Sequence, residues 1–381
     1  MVVCVSPNGA AVSHSEEPAS ELLVGTIRGI VHFEREAPHL PWREAKRTLE
    51  DVHISSVLFE ERSGTIFAGG HGQGGLWVST DGGGTWERRQ SGIAENHIFH
   101  LAAQYRGDGV RILAGVEPAS LYFSDDMGLT WTKLPALNKV PGTEKWTFPP
   151  PPHLAHAKNV AWHPSDPDTF YVCVEQGALL KTADAGETFT ELASYESPND
   201  LWYHDTHRIV IRQRDPRQMF LSSGEGVYYS ANAGESWTHI QTRSDRLGYP
   251  DAMAIDPHNE DTIFIAGAGN PPRTWVDQQE GTSNAGVIRS DDGGTSWREV
   301  SNGLPQPLKG NIEAMSLASH PEGVELFCGT ATGELYYSSD RGGLWQEVAA
   351  GLPPVSKVHH YRWFLPKEER QRIEELARAG F

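Results

Sequence analysis

One eight-residue pattern recurs along the sequence and decides the fold. It reads STDGGGTW at 79–86, SDDMGLTW at 124–131, TADAGETF at 182–189, SANAGESW at 230–237, SDDGGTSW at 290–297 and SSDRGGLW at 338–345. Asp and Asn side chains bond nearby backbone amides, Gly tolerates a positive φ, and the final aromatic ring packs the turn onto the next strand. The pattern therefore predicts six tight turns of one kind.

Each turn stands at the same place in a longer repeat. A short β-type run such as SLYF or GVYY precedes it, and a polar strand follows. A unit that recurs at a regular interval indicates a repeat architecture. Four-stranded units are predicted at 52–90, 97–134, 156–193, 205–242, 250–300 and 311–348.

The turns resemble the Asp-boxes of BNR-repeat proteins over the region from residue 52 to residue 348. Four copies match the full pattern, whereas Asn232 replaces Asp and Leu344 replaces Thr or Ser, which predicts two looser turns. The resemblance implies a β-propeller with an Asp-box between the third and fourth strands of a blade. Propellers of this type include sialidases, xyloglucanases, sortilin-type receptors and photosystem II assembly factors.

The blade count gives an all-β chain with a single seven-bladed propeller. Residues 22–36 are interpreted as the second and third strands of a seventh blade, and residues 357–365 as its first strand. Both chain ends would then close the ring and leave no exposed sheet edge. We expect a disordered leader at 1–20, the propeller at 21–365, and a short amphipathic helix at 366–381 that packs on the ring.

Charge and composition limit the partners and the compartment. The 381 residues carry a net charge of −18, and such an acidic surface repels phosphate backbones and anionic membranes. No apolar run approaches the length of a membrane span, and the N-terminal segment lacks the features of a signal peptide. Three cysteines, an odd number, favour buried thiols and a cytoplasmic protein. The oligomeric state stays open.

Histidines recur at one position of the repeat. Alignment of the first strands on their apolar residues places His53, His97, His156 and His359 at the same register, at the mouth of the central channel. Neutral imidazoles bind Zn, Mn or Fe. The sequence therefore predicts one divalent metal ion held by these four side chains.

Carboxylates and further histidines are expected on the same face. The loops between second and third strands carry Glu117, Glu175 and Glu225, which could orient the ligands or move protons, and His204 and His207 are candidate acid/base residues. Metal binding would also lower the pKa of a bound water molecule and make it a nucleophile.

Three long insertions lie on this face, at 134–156, 194–204 and 269–286. Long loops in a compact domain usually carry function, although they could also shield the channel or mediate assembly. The candidate substrate-binding residues are Arg28, His71, Lys158, Arg208, Arg362, Trp146, Trp202 and Trp275.

These features favour a metal-dependent enzyme that acts on a small polar or anionic substrate, or on a glycan, by hydrolysis or elimination. Sialidases carry an Arg-Ile-Pro motif that this sequence lacks, and xyloglucanases use two propellers. Two alternatives stay open. One is an Fe(II)-type oxygenase with a four-His centre, because carotenoid-cleaving dioxygenases have a similar layout. The other is a non-enzymatic propeller that binds a protein or a glycan.

Overall fold

The computed structural model describes residues 1–149, 152–192, 204–275 and 282–378. In chain order, its strands are β1 (Val2–Val5), β2 (Val12–His14), β3 (Glu21–Thr26), β4 (Gly29–Glu34), β5 (Arg43–Thr48), β6 (Ile54–Glu60), β7 (Thr65–Gly70), β8 (Gly75–Ser79), β9 (Glu87–Arg88), β10 (His97–Arg106), β11 (Gly109–Glu117), β12 (Ser120–Ser124), β13 (Thr132–Lys133), β14 (His156–Trp162) and β15 (Phe170–Glu175). They continue as β16 (Ala178–Thr182), β17 (Thr190–Glu191), β18 (Thr206–Ile211), β19 (Met219–Ser223), β20 (Gly226–Ser230), β21 (Thr238–Thr242), β22 (Tyr249–Ile255), β23 (Ile263–Ala268), β24 (Gly286–Ser290), β25 (Arg298–Glu299), β26 (Ile312–His320), β27 (Gly323–Thr330), β28 (Leu335–Ser338) and β29 (Gln346–Ala349). The helical segments are the α-helix α1 (Lys367–Arg378) and the 3-10 turns Leu137–Lys139, Thr143–Lys145, Pro272–Thr274 and His360–Phe364.

The strands form seven sheets, which are the blades of a propeller. We number the blades in chain order. Blade one contains β1, β3, β4 and β5, and blades two to seven are the consecutive groups β6–β9, β10–β13, β14–β17, β18–β21, β22–β25 and β26–β29, the last of which also includes β2. The first strands of neighbouring blades pack against one another around the ring. Apolar clusters fill the spaces between blades, so the core is a ring of interfaces rather than one central cluster. The predicted seven-bladed propeller is confirmed.

The Asp-box turns join the third and fourth strands of six blades, as predicted. In the first copy, Asp81 Oδ1 accepts a hydrogen bond from the Thr85 amide at 2.8 Å, and Ser79 Oγ accepts one from the Gly83 amide at 2.8 Å. The expectation of looser turns at the two imperfect copies is wrong for the backbone. Asn232 accepts from the Ser236 amide and Asp340 accepts from the Leu344 amide, each at 2.9 Å. In the four copies that match the full pattern, a Thr or Ser hydroxyl also donates to the Asp carboxylate. Leu344 lacks only this second hydrogen bond.

The ring closes differently from the prediction. Residues 1–20 are not a disordered leader, because β1 pairs in parallel with β3 and β2 pairs in parallel with β26. The apolar run that contains Val3 and Val5 is fully buried and occupies the innermost position of blade one. The propeller therefore begins at β1 and not at residue 21. Residues 357–365 form no strand; they contain the 3-10 turn His360–Phe364 above the mouth.

The segment between β1 and β2 crosses the inside of the ring. The backbone carbonyl of Asn8 accepts hydrogen bonds from His100 on blade three and from Ser56 on blade two. Arg208 on blade five donates to the carbonyl of Gly9 at 3.0 Å. These contacts from three blades place the segment across the channel, one layer below the mouth.

Two further expectations concern the chain ends and the thiols. The helix α1 is present, and its packing on the ring stays a prediction. Among the described helices, none has the length and apolar character needed to cross a membrane. The three cysteines are free and buried, as predicted.

Candidate functional site

Paired residues at the upper ends of the first two strands of each blade build the channel mouth. In blade three, the register of β10 and β11 sets His97 beside Glu117, and in blade four the same register sets His156 beside Glu175. In blade two, the His71 amide donates to the His53 carbonyl at 2.7 Å. Three consecutive blades thus present an imidazole together with a second titratable side chain.

A pocket of about 350 Å³ opens at this end of the ring. Its polar wall contains His71, His97, His359 and Glu117, and its other walls include Asn96 and Phe148. Phe148 comes from the insertion at 134–156, so this loop contributes a wall, as expected.

Three imidazoles of the polar wall cluster with His53, which does not line the pocket, and His71 lies at the centre of the four. Its ring centroid lies 3.9 Å from that of His97, 4.8 Å from that of His53 and 5.5 Å from that of His359. His71 Nδ1 and His97 Nε2 are in direct contact. His53 Nε2 donates to the Ser356 carbonyl at 2.8 Å, and the buried His359 Nδ1 has no hydrogen-bond partner among the described residues.

Burial keeps these imidazoles neutral. It lowers the pKa of His53 to about 4 and that of His359 to about 3, and it holds the pKa of His71 well below the ordinary value. Burial also lowers the pKa of His97, although Glu117 opposes this shift. Neutral imidazoles offer a nitrogen lone pair, which is the form that binds metal ions.

Glu117 supports the cluster from behind. Its Oε1 lies 3.1 Å from His97 Nδ1, and its Oε2 lies 3.3 Å from His156 Nδ1. Burial disfavours the carboxylate, but the hydrogen bonds from His156 and His97 prevail and lower the pKa of Glu117 to about 2. An ionised Glu117 fixes the ring of His97 and leaves Nε2 directed at His71.

His156 does not join the other three histidines of the predicted ring. It stacks on Phe99 with centroids 3.6 Å apart, and it bridges Glu117 and Glu175. Burial disfavours the imidazolium, but these two carboxylates raise the pKa of His156. His71, predicted as a substrate-binding residue, takes its place in the imidazole cluster. Its backbone pairing with His53 was the signal that alignment of first strands alone missed.

A network of charged side chains lies below the pocket. It joins the candidate residues Lys158 and Glu175 to Asp251 and Lys357, which the sequence did not single out. Lys158 Nζ lies 2.7 Å from Glu175 Oε1 and 3.5 Å from Asp251 Oδ1, and Lys357 Nζ contacts Asp251. Glu175 is 2% exposed, and despite its burial Lys158 and Lys357 hold its pKa well below the ordinary value. Lys158 and Glu175 are therefore parts of the interior and do not line the pocket, contrary to their predicted position at the mouth.

The other predicted catalytic residues are dispersed. His207 is buried beside Asp205 and Glu175. His204 is half-buried, and its carbonyl accepts from the Gly177 amide at 3.2 Å. Glu225 pairs with Arg243 at 2.9 Å. None of the three lines the described pocket.

The predicted substrate-binding residues are dispersed as well. Arg28 is exposed at the turn between β3 and β4, and Arg208 holds the N-terminal segment. Trp275 is fully buried against His360 and Phe364.

Three of these residues remain. Arg362 lies on the 3-10 turn beside Tyr361, close to the pocket residue His359. Trp146 packs against the core between blades three and four. Trp202 lies outside the described residues.

Comparisons with known proteins agree with this architecture. The family model for sortilin, neurotensin receptor 3, matches residues 119–270, and the BNR/Asp-box repeat model matches residues 77–88. The chain is a seven-bladed BNR/Asp-box propeller.

Two curated relatives of this propeller are named as xyloglucanases. A probable oligoxyloglucan-reducing end-specific xyloglucanase of Neosartorya fischeri is 25% identical over 202 residues, which are 47% of this chain and 22% of that protein. Xyloglucanase Xgh74A of Acetivibrio thermocellus is 26% identical over 204 residues, 44% of this chain and 23% of that protein. The propeller thus spans less than a quarter of the length of these relatives.

Solved structures show the fold alone. An ancestral GH74 enzyme superimposes with a TM-score of 0.59 at 15% identity and covers 77% of this chain and 38% of its own. The WD40 β-propeller domain of Doa1 gives a TM-score of 0.56 at 9% identity, and the match covers 89% of this chain and 95% of that chain. Enzymes and a WD40 domain thus share this architecture, so the function must be argued from the site.

Proposed function

We propose that the mouth pocket is the active site of a metal-dependent hydrolase that acts on a small polar or glycan substrate. The observation that carries the proposal is a cluster of four neutral imidazoles, three of which line one wall of a pocket, with an ionised carboxylate beside His97. Buried imidazoles without a ligand gain little from such proximity, whereas a metal ion uses each lone pair.

The residue types at the mouth are those that bind a divalent transition metal, and three of their nitrogens would have to move closer together to share one ion. His71 and His97 direct ring nitrogens at each other, and His359 Nδ1 is buried without a hydrogen-bond partner among the described residues. These three side chains, together with His53, would hold Zn, Mn or Fe. When bound, the ion would supply a Lewis acid and an activated water molecule. The predicted ligand set thus gains His71 and loses His156.

The remaining pocket residues have separate roles in the proposal. Glu117 orients His97 and, as an ionised carboxylate, would favour a positively charged ion at the mouth. The amides of Gln73 and Asn96 bind hydroxyl or carbonyl groups of the substrate, and Phe148 covers an apolar face. This combination of amides and one aromatic ring suits a sugar or another small polar molecule.

The pocket favours metal-activated water over the two-carboxylate mechanism of most glycoside hydrolases. That mechanism needs a pair of acids on either side of the bond. Among the described residues that line the pocket, Glu117 is the only carboxylate, and Glu175 is engaged by two lysines. The names of the curated relatives support hydrolysis and a glycan substrate, so elimination and oxidation rank below hydrolysis.

The test begins with metal analysis of protein purified without a nickel column. We expect a tightly bound transition metal that is lost from the mouth in His97→Ala and in His71→Ala. The exposed His39 provides the matched control, so His39→Ala should keep the metal content of the wild type. Hydrolysis of nitrophenyl esters and glycosides should depend on added Zn, Mn or Fe and should fall at least 100-fold in His97→Ala. Folded His97→Ala with unchanged metal content would overturn the proposed site.

A further inference from the structure

The buried layer below the mouth contains a second set of converging ligand atoms. We propose that a divalent cation, separate from the one at the mouth, binds between Glu175, Asp205 and His207. These three residues come from two blades, because Glu175 ends β15 and the other two stand at the start of β18. An isolated bridge between the backbones of Glu175 and Asp205 brings the two blades together here.

The distances suit one ion. His207 Nε2 lies 3.6 Å from Glu175 Oε1 and 3.5 Å from Asp205 Oδ1, and one ligand atom from each residue lies within 4.8 Å of the others. Ligands at about 2.0–2.2 Å from a metal ion are themselves about 3–3.5 Å apart in tetrahedral or octahedral geometry. A small adjustment of these side chains would therefore bring all three ligand atoms within bonding distance of one ion.

The tautomer of His207 provides an independent argument. Its Nδ1 lies 2.6 Å from the carbonyl oxygen of Pro250, which can only accept a hydrogen bond, so Nδ1 carries the proton. In the neutral ring, Nε2 then presents a lone pair. Among the described residues, Nε2 has no hydrogen-bond partner. The His207 side chain is 0% exposed, and Nε2 lies 3.5–3.6 Å from one oxygen of each of the two carboxylates. Lys158 already pairs with Glu175 Oε1, so the Nε2 lone pair and the Asp205 carboxylate are the two donors that remain without a cation in this buried space.

The nearby lysines do not fill this role. Lys158 and Lys357 approach Glu175 and Asp251. In the described part of the chain, the only ion-pair partner of Asp205 is His207. Gly224 contributes to the available space, since a Cβ at this position would lie 2.2 Å from Asp205 Oδ2. The carboxylate of Asp205 is therefore the group that the lysine network leaves uncompensated.

The ligand set indicates the class of cation. Two carboxylates and one imidazole favour a borderline ion such as Mn²⁺, Fe²⁺ or Zn²⁺ over Ca²⁺ or Mg²⁺, which prefer oxygen ligands alone. The position indicates a structural role, because the ion would connect blade four to blade five beside Glu175, which also contacts His156. It would exchange slowly, since its ligands are buried.

The decisive experiment compares two variants of the full chain after removal of metal by EDTA and titration with MnCl₂. Mass spectrometric metal analysis should find two equivalents per wild-type chain. Asp205→Asn, which keeps the shape and removes the charge, should lose one equivalent, and so should His97→Ala. The double variant should bind none. Asp108, exposed on the turn between β10 and β11, provides the control variant Asp108→Asn, which should retain both.

The two arms separate this proposal from that for the mouth, since each variant reports on its own site. Equal Mn²⁺ content in wild type and folded Asp205→Asn would overturn the buried site. Nitrogen NMR of the wild type tests it without a substitution: Mn²⁺ should broaden the His207 Nε2 resonance, whereas a ring protonated on both nitrogens that does not respond to Mn²⁺ would show that a proton alone compensates the carboxylates.

Discussion

The polar wall of the mouth and the buried layer below it use the same positions of the repeat in opposite ways. Blade two places His53 beside His71 and blade three places His97 beside Glu117. These imidazoles are neutral, and His71 and His97 border a pocket. Blade four places His156 beside Glu175, where two lysines and a second carboxylate surround the pair. The comparison shows that identical backbone positions become a binding wall or an ion network, depending on whether positively charged side chains such as Lys158 and Lys357 lie beside them.

Removal of a network lysine should have the largest effect. Lys357→Ala leaves Asp251 and Glu175 with one ammonium group between them. Loss of one partner from a buried ion pair destabilises by about 3–5 kcal/mol. Denaturant unfolding should report a decrease in the free energy of unfolding of this size. Lys46→Ala, at an exposed lysine that donates to the Gly82 carbonyl, should change it by less than about 1 kcal/mol. Similar free energies of unfolding for the two variants would show that the buried lysine contributes no more to stability than the exposed one.

Removal of the negative charge of Glu117 should weaken metal binding at the mouth without unfolding the protein. Glu117→Gln removes the carboxylate that orients His97, and loss of such a supporting group lowers metal affinity by about 10–100-fold. Competition with a chromophoric chelator measures this affinity. Glu225→Gln is the matched control, because Glu225 pairs with Arg243 away from the pocket. An unchanged affinity in Glu117→Gln would separate Glu117 from the proposed ligands.

The stability of the protein should depend on pH through His100, which holds the N-terminal segment. Burial lowers the pKa of His100 to about 4, against about 6.5 in the unfolded chain. Between these two pH values the unfolded chain binds one more proton than the folded protein at this residue, so stability falls as the pH decreases from about 6.5 to about 4. His100→Gln should reduce the slope of unfolding free energy against pH by up to one proton. His39→Gln, at an exposed histidine, serves as the reference variant for this slope.

A substitution in an Asp-box turn should have the smallest effect, because these turns differ little from blade to blade. Leu344→Thr would add the hydroxyl bond that Thr85 makes to Asp81 at 2.8 Å. Such a bond contributes about 0.5–1.5 kcal/mol, less at an exposed site. The thermal midpoint should rise by a few degrees at most. A decrease would indicate that the exposed Leu344 makes a packing contact that the turn needs.

Local sequence determined the repeat and therefore the architecture. The Asp-box is a turn whose hydrogen bonds all lie within eight residues, so its residue types predict its geometry, and six copies predict the blades. The register within a blade is also local, which is why Glu117 was expected beside the mouth.

Only the tertiary structure decided how the blades meet. The short run Val2–Val5 has no local signal that distinguishes a leader from an inner strand; its burial depends on blades one, two and seven. Likewise, His71 joins the imidazole cluster, and His207 meets Asp205 and Glu175, because side chains from neighbouring blades point into one space. Asp251 and Lys357 complete the network from positions 106 residues apart. Such contacts follow from the closure of the ring, and no local pattern encodes them.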